Sequence, residues 1–369
     1  LKKAVRNLLV LLNALAALAL ALSYLSVWVS PLRLSLFAFL GLAFPLLSLA
    51  NMAFVLLWLW WRDAVAILSS ACLAIGAPFW PRSFQINIRE PHLMADDAQI
   101  KLMSFNVRLF DLYDWQPGED TRGQIMSLLE NEQPDILCLQ DFHNKEMPDR
   151  ESNHQSLSRI LDAATEHMAF SQSEGKRINF GIATFSKFPA IGQGTITFQG
   201  SDNLCIYTDL ATPLGVTRVY NCHLQSIKLS QNDYNLIDSL EYKSQEQLRG
   251  LVGILLKLQL AFQLRAQQAD AIANHLRHSP YPALVCGDFN DTPVSYTYQT
   301  LTDQLMDAFV EGGNGFEGTY NGLLPAFRID YLLHDTLFEP YGFRTIEQDL
   351  SDHFPLTCHF RLRQAPPTP

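Results

Sequence analysis

Between Leu8 and Phe79 the chain carries three long apolar runs, parted only by short polar breaks. Such runs must either enter a bilayer or be covered by protein, and this constrains the fold more than any other feature. A helix that crosses the hydrocarbon needs about 20 predominantly apolar residues. Leu8–Val29 supplies one run, interrupted by Asn13 and a few serines, and Pro31 and Arg33 mark a short turn after it. Leu34–Trp61 supplies a second, ending in Trp58-Leu59-Trp60-Trp61, a cluster suited to a membrane interface. Arg62-Asp63 is a tight polar connection, and Ala64–Phe79 is a third, shorter run that stops at Trp80-Pro81. A secretory signal has one apolar segment of about 7–15 residues before a cleavage site, which does not fit three successive runs. The pattern predicts a membrane anchor over residues 1–90 with three transmembrane helices, at about 8–29, 34–61 and 64–79.

Basic residues favour the cytoplasmic side of a membrane. Lys2, Lys3 and Arg6 precede the first run, against Arg33 alone in the first loop, so the N-terminus is expected inside. Three crossings then place the rest of the chain outside the cytoplasm. Arg82, Arg89 and Lys101 pull the other way.

After Pro91 the sequence reads as a linker over 91–99, a water-soluble domain over 100–362 and a disordered tail over 363–369. Residues 1–90 hold seven basic and two acidic residues, leaving 20 basic and 35 acidic in the remainder. So acidic a domain lacks the electrostatic footprint of loose nucleic-acid binding, and no stable nucleic-acid partner is expected. Cleavage of nucleic acid would need a local basic patch or a metal. Of the six cysteines none forms a CxxC pair, and Cys138, Cys205, Cys222, Cys286 and Cys358 each fall in an apolar run. They read as buried free thiols, which fits a reducing compartment, with no zinc site.

The soluble part alternates short apolar runs with helical patterns. Strands are expected at Ile100–Phe105, Ile136–Gln140, Phe180–Phe185, Thr195–Phe198, Ala283–Gly287 and Ile329–Leu333. A hairpin is expected around Thr212–Gly215 and a final pair near 342–348 and 354–360. Helices are expected at Thr121–Asn131, His154–Ala164, about Leu240–Leu276 and near Tyr296. Strands outnumber helices and several helices connect strands, which points to a layered α/β domain of two packed sheets with helices outside.

Eight residues of chemically useful type fall at the ends of these runs: Asn106, Asp141, His223, Asp288, Asn290, Asp330, Asp352 and His353. A single strand-end Asp is more often a turn or a helix cap. Eight together suit metal-dependent phosphoryl transfer. Mg2+ takes hard oxygen ligands, which Asp141 and Asp352 can supply. An attacking water needs a base, which Asp288 can be, and Asn290 lies on the same side of the pleat two residues on. Asn106, Asn290, His223 and His353 can donate to a crowded phosphate. Asp330 can orient His353 and keep it protonated.

The segments Ser104–Arg108 (SFNVR), Pro134–Asp141 (PDILCLQD), Gly181–Pro189 (GIATFSKFP), Tyr220–Leu224 (YNCHL), Cys286–Pro293 (CGDFNDTP), Arg328–Leu333 (RIDYLL) and Ser351–Leu356 (SDHFPL) carry these residues. In content and order they resemble the endonuclease/exonuclease/phosphatase superfamily with the DNase I-like fold, in a membrane-anchored bacterial-type form. The resemblance implies a four-layered α/β sandwich of two mixed sheets and a metal-dependent phosphoesterase that uses Mg2+, with Mn2+ as a substitute. It implies metal contacts for Asn106, Asp141 and Asp352, and catalytic roles for His223, Asp288, Asn290, Asp330 and His353. Asp141 stands where the family usually has Glu, one methylene shorter. Asn179 stands where some abasic-site enzymes carry Tyr. With the anchor, the resemblance implies an integral protein of the bacterial cell membrane, acting on a phospholipid, another small phosphate ester or, alternatively, DNA. A non-enzymatic membrane binding module is the reading from a different class.

Overall fold

The computed structural model describes residues 2–87, 98–145, 151–174, 178–239, 245–322 and 327–364. Most of the expected linker, the last five residues of the expected tail, and positions 240–244 at the start of the expected long helix lie outside the described residues. The helices are α1 (Lys2–Ser23), α2 (Leu36–Leu42), α3 (Phe44–Trp60), α4 (Ala66–Ile75), α5 (Thr121–Glu132), α6 (Asn153–Leu161), α7 (Gln231–Ser239), α8 (Gln245–Arg277), α9 (Tyr296–Thr302) and α10 (Ala308–Gly312). The strands are β1 (Phe84–Gln85), β2 (Gln99–Asn106), β3 (Ile136–Lys145), β4 (Thr165–Glu174), β5 (Ile178–Ser186), β6 (Ala190–Thr197), β7 (Leu204–Thr212), β8 (Gly215–His223), β9 (Ala283–Asp288), β10 (Met306–Asp307), β11 (Gly315–Phe316), β12 (Asp330–His334), β13 (Phe338–Thr345) and β14 (Leu356–Leu362). Two compact units result. One comprises residues 1–81, 225–269 and 291–300; the other comprises 82–224, 270–290 and 301–369.

In the second unit, two six-stranded mixed sheets run in the orders β10-β12-β9-β8-β7-β6 and β13-β14-β2-β3-β5-β4. Strand alternation sorts side chains between two layers of core. Ile100, Leu102, Ile136, Cys138 and Cys358 of one sheet meet Val219, Leu284, Cys286 and Leu332 of the other. The intervening Met103, Phe105, Leu137 and Leu139 face Ile125, Leu129, Leu157 and Leu161 of α5 and α6. Covering both faces explains why these strands read as continuous apolar runs. Polar bonds fix the sheets in one register. Gln140 Nε2 donates to Asn221 Oδ1 at 2.7 Å, and Asn221 Nδ2 donates to Ala183 O at 2.9 Å. The arrangement is the expected α/β sandwich of two packed mixed sheets with helices. Sequence pattern missed β4 (Thr165–Glu174), whose Glu166 and His167 break its apolar character. All six cysteines are free thiols.

The first unit corrects the expected set of three membrane-spanning helices. Among the described residues only Lys3–Val27, at 25 residues, has the length and composition to cross a membrane. The run 34–61 is two helices, Leu36–Leu42 and Phe44–Trp60, bent by 66°, so it qualifies only if the bent pair is one span. Pro45 sits in the first turn of α3, where its missing N–H and fixed φ start a new helix instead of continuing the old one. The run 64–79 forms only the ten-residue α4 before Gly76 and a 3-10 turn holding Pro81. At 1.5 Å per residue α4 covers about 15 Å, half of a hydrocarbon core. Hydropathy counts composition and does not see these breaks.

The polar residues within the apolar runs join α1, α3 and α4. Asn13 Nδ2 donates to Ser69 Oγ at 2.5 Å, Trp58 Nε1 donates to Asn13 Oδ1 at 2.6 Å, and Ser69 Oγ donates to Asn51 Oδ1 at 2.7 Å. All four side chains are fully buried. Val294, just beyond the Gly-Asp-Phe-Asn stretch, belongs to the same apolar cluster as Leu20, Tyr24, Val27, Phe44 and Phe79. Its carbonyl accepts from Ser26 Oγ at 2.9 Å.

Candidate active site

Sheet register brings the predicted residues together. β9 lies between β8 and β12, pairing Asp288 with His223 on one side and with Asp330 on the other. Gly287 makes the first pairing possible. Its φ of +132° and the closeness of the Cys222 backbone exclude any side chain at that position. Asn106 closes the site from the other sheet: at the end of β2, its Nδ2 donates to Asp288 Oδ2 at 3.0 Å.

Asp288 is 1% exposed. Its carboxylate also accepts from the Asn290 backbone N–H at 2.8 Å and from Asn290 Nδ2 at 3.0 Å. Asn290 holds the left-handed conformation, φ +54°, that its residue type tolerates. Burial pushes the Asp288 carboxyl up to about 6, against the opposing pull of His353 and with support from Asp330.

His353 is 5% exposed and placed between two carboxylates. Nδ1 is 2.9 Å from Asp330 Oδ2, and Nε2 is 3.7 Å from Asp288 Oδ2. Burial would lower its pKa, but the charges of Asp330 and Asp288 outweigh burial and raise it to about 10, so the ring is a cation. Thr319 Oγ1 donates to Asp330 Oδ2 at 2.6 Å and fixes that carboxylate. His223 Nε2 is 3.7 Å from the same Asp288 oxygen, and its Nδ1 is 3.5 Å from Asp141 Oδ1.

Asp141 sits at a bulge in β3, where the pairing with β5 shifts between Leu139 and Phe142. Such a bulge re-aims a side chain. Asp141 has φ +45°, a left-handed conformation that Asp tolerates better than most residues. Its side chain is 46% exposed. Asp352 is partly exposed and has Arg108 Nε 3.4 Å from its Oδ2. Ser351 Oγ donates to Asn106 O at 2.8 Å, tying this segment to the end of β2.

The structure thus links Asn106, Asp141, His223, Asp288, Asn290, Asp330 and His353 through one chain of contacts, with Asp352 next to His353 in sequence. Among the described residues, Asp288, Asp330 and His353 form a close group of His and Asp side chains that could hold a metal ion. In that tight group Asp330 Oδ2 already accepts from Thr319 and pairs with His353 Nδ1, which makes it a carboxylate–imidazole pair more than a metal cage. Asp141 and Asp352 offer exposed hard oxygens, and Asn106 keeps an amide oxygen that also accepts from Arg108 N at 3.1 Å. Four carboxylates face two histidines and Arg108 here, a donor set that fits a hard divalent cation.

Sequence reasoning gave no role to Arg108, Thr319 or Ser351. Arg108 and Ser351 lie inside the motifs SFNVR and SDHFPL, the only signal available for them. Arg108 opens a run of four left-handed residues, φ +41° to +58° through Asp111. Its guanidinium lies 4.5 Å over the Trp115 ring, which packs edge-on against Tyr113 at 5.3 Å. Both rings are exposed.

A family model described as "Endonuclease/Exonuclease/phosphatase family" matches residues 103–353. The chain belongs to this family. A second model, a domain of unknown function, matches residues 6–83. Among solved structures, an endonuclease/exonuclease/phosphatase from Beutenbergia cavernae is 18% identical, with 73% of each chain covered and a TM-score of 0.51. A family protein from Bacteroides thetaiotaomicron is 15% identical, covering 73% of this chain and all of its own, TM-score 0.52. The human Nocturnin catalytic domain, solved with a bound sulfate anion, is 16% identical over 72% of this chain and 95% of its own, TM-score 0.50. At these identities the likeness is one of fold. No curated protein sequence matches. Membership places the chain among phosphate-ester hydrolases and nucleases, a family that generally uses divalent metals.

Proposed function

We propose that the protein is a membrane-associated, divalent-metal-dependent phosphodiesterase that cleaves its ester by in-line attack of water. The observation that carries this reading is the contact chain Asp330–His353–Asp288–Asn106, which joins the two sheets at the ends of β2, β9 and β12. Asp288 accepts a proton from the attacking water, an assignment supported by its raised pKa and by the amide donors that fix its orientation. His353, held protonated by Asp330, donates to the phosphate or its leaving oxygen. His223 and Asn290 stabilise the charge that gathers on the non-bridging oxygens. Asn106, Asp141 and Asp352 would hold Mg2+, with Mn2+ as a substitute. When bound, such an ion neutralises phosphate charge and polarises the phosphorus centre.

The substrate class we favour is a phospholipid headgroup or another small phosphodiester. Support comes from the acidic soluble part and from the apolar helices packed into the same chain. The membrane is reached through α1 and the shorter apolar helices beside it, with the hydrolytic residues on the extracytoplasmic face. A second reading, a membrane-tethered nuclease, is favoured by one observation. The exposed Tyr113 and Trp115 rings with Arg108 offer a stacking platform for a base. Full-length protein in detergent should be given phospholipid vesicles and, separately, supercoiled plasmid, each with Mg2+ and with EDTA. Metal-dependent release of a phosphorylated headgroup supports the first reading. Metal-dependent nicking without headgroup release supports the second.

A further inference from the structure

The outer face of α8 changes character part-way along. Its first half exposes Leu248, Val252, Leu255, Leu256 and Leu260, each more than half exposed. At 100° per residue these five fall within an arc of about 140°. From Gln267 onward the exposed positions are Gln267, Asp270, Asn274 and Arg277, the face of an ordinary soluble helix. A water-facing helix has no reason to show five large aliphatic side chains on one stripe.

The leucine-bearing half, with Gln267 beyond it, belongs to the compact unit of the apolar N-terminal helices, and from Asp270 the helix belongs to the other unit. Within the first unit, Phe262 packs edge-on against Phe39 of α2 at 5.2 Å, and Gln263 Nε2 donates to Ser35 Oγ at 3.3 Å. The same unit also exposes Trp28 and Leu34 in the connection between α1 and α2, and Leu36 at the start of α2. Behind the stripe, Lys257 pairs with Asp233 of α7 at 2.5 Å, and Arg249, near the start of the helix, is the exposed charge within the same arc.

We infer that residues 248–260 of α8 form an interfacial membrane helix, whose leucine stripe enters the headgroup–acyl boundary of the bilayer occupied by the N-terminal helices. This rests on the reading that those helices enter a bilayer. Such a helix lies in the membrane plane with its apolar face sunk about 5–10 Å. The segment runs between β8, which ends in the candidate catalytic His223, and β9, which ends in Asp288. A helix here fastened to the membrane would tie the strands that carry the hydrolytic residues to the lipid surface.

The test is nitroxide accessibility in the full chain, reconstituted into vesicles of phosphatidylethanolamine with a minority of phosphatidylglycerol. Single labels are placed at Val252→Cys, Leu256→Cys, Gln267→Cys and Leu15→Cys, with the unmodified chain as control for the native thiols. The expected result is a several-fold higher ratio of oxygen to aqueous nickel accessibility at 252 and 256 than at 267, approaching that at 15. If 15 is lipid-exposed while 252 and 256 match 267, the interfacial helix is overturned and the anchor stands. If 15 is also aqueous, both fall. Strong dipolar broadening at 252 and 256 would mean that a second copy covers the stripe, and would overturn the lipid assignment.

Discussion

Asp330 Oδ2 lies 2.9 Å from His353 Nδ1, and the opposite nitrogen of that ring lies 3.7 Å from Asp288 Oδ2. The imidazole is therefore held by one buried carboxylate and aimed at another. Asp330 touches no reacting atom in the proposed chemistry; it sets the charge and orientation of a residue that does. Asp330→Asn should lower kcat by about 10²-fold or more with little change in KM, the pattern of a group used only in the transition state. An equal rise in KM with kcat unchanged would contradict this role.

Asp141→Asn and Asp141→Glu separate charge from reach. The left-handed bulge is a conformation that Asp tolerates better than most residues, while hard-cation binding needs the charge. Asp141→Asn should raise the Mg2+ concentration for half-maximal activity by about 10–100-fold, the range found when a metal-supporting group is lost. Asp141→Glu should recover part of that loss. A titration in which both variants overlay the parent would remove Asp141 from the metal site.

Arg265 is a buried cation, 1% exposed, with Nε 3.4 Å from Asp291 Oδ2 and Nη1 donating to Gln225 O at 3.0 Å. Gln225 is two residues beyond His223, and Asp291 follows Asn290. One guanidinium thus holds the chain just beyond two candidate catalytic positions. Arg265→Met removes the cation facing a buried carboxylate and should cost about 3–5 kcal/mol. Apparent melting temperature, measured in detergent, should fall well below that of the parent.

Two glycines should respond in opposite senses. A methyl at Gly41 would overlap Val294 O and the Ser26 side chain, so Gly41→Ala should destabilise by about 1–3 kcal/mol. Gly253, inside α8, has nothing within 4 Å of an added methyl, so Gly253→Ala should stabilise by about 0.5–1 kcal/mol. Melting curves of the two variants beside the parent decide both.

His167 Nδ1 lies 2.9 Å from Thr208 Oγ1, linking β4 of one sheet to β7 of the other, and burial lowers its pKa. A histidine whose folded pKa is depressed contributes stability that is present above its unfolded value of about 6.5 and is lost as pH falls through the lower folded value. The stability gap between parent and His167→Gln should therefore narrow as pH drops below about 6.5. A gap that widens would reverse the assignment.

Much of the candidate site was legible because each residue ends an apolar run, and the period-2 pattern locates strand ends well. His223, Asp288 and Asp330 could be placed beside one another once their strands paired. What stayed hidden depends on contacts distant in sequence or on backbone conformation. The association of 225–269 and 291–300 with the first 81 residues leaves no local pattern. Arg108 reads as an ordinary strand-end residue until its left-handed turn brings it to Asp352. The third apolar run looked long enough to span because hydropathy ignores the stop imposed by Gly76, Pro78 and Pro81.

The most direct measurement of the central claim is hydrolysis of bis(p-nitrophenyl) phosphate by the full chain and by Asp288→Asn, with Mg2+ and with EDTA. The side chains are nearly isosteric, so folding is checked by matching melting curves. The expected result is Mg2+-dependent release of nitrophenol by the parent and a loss of about 10²–10⁴-fold in the variant. Activity within a few-fold of the parent in Asp288→Asn, or undiminished activity in EDTA, would contradict the proposed chemistry.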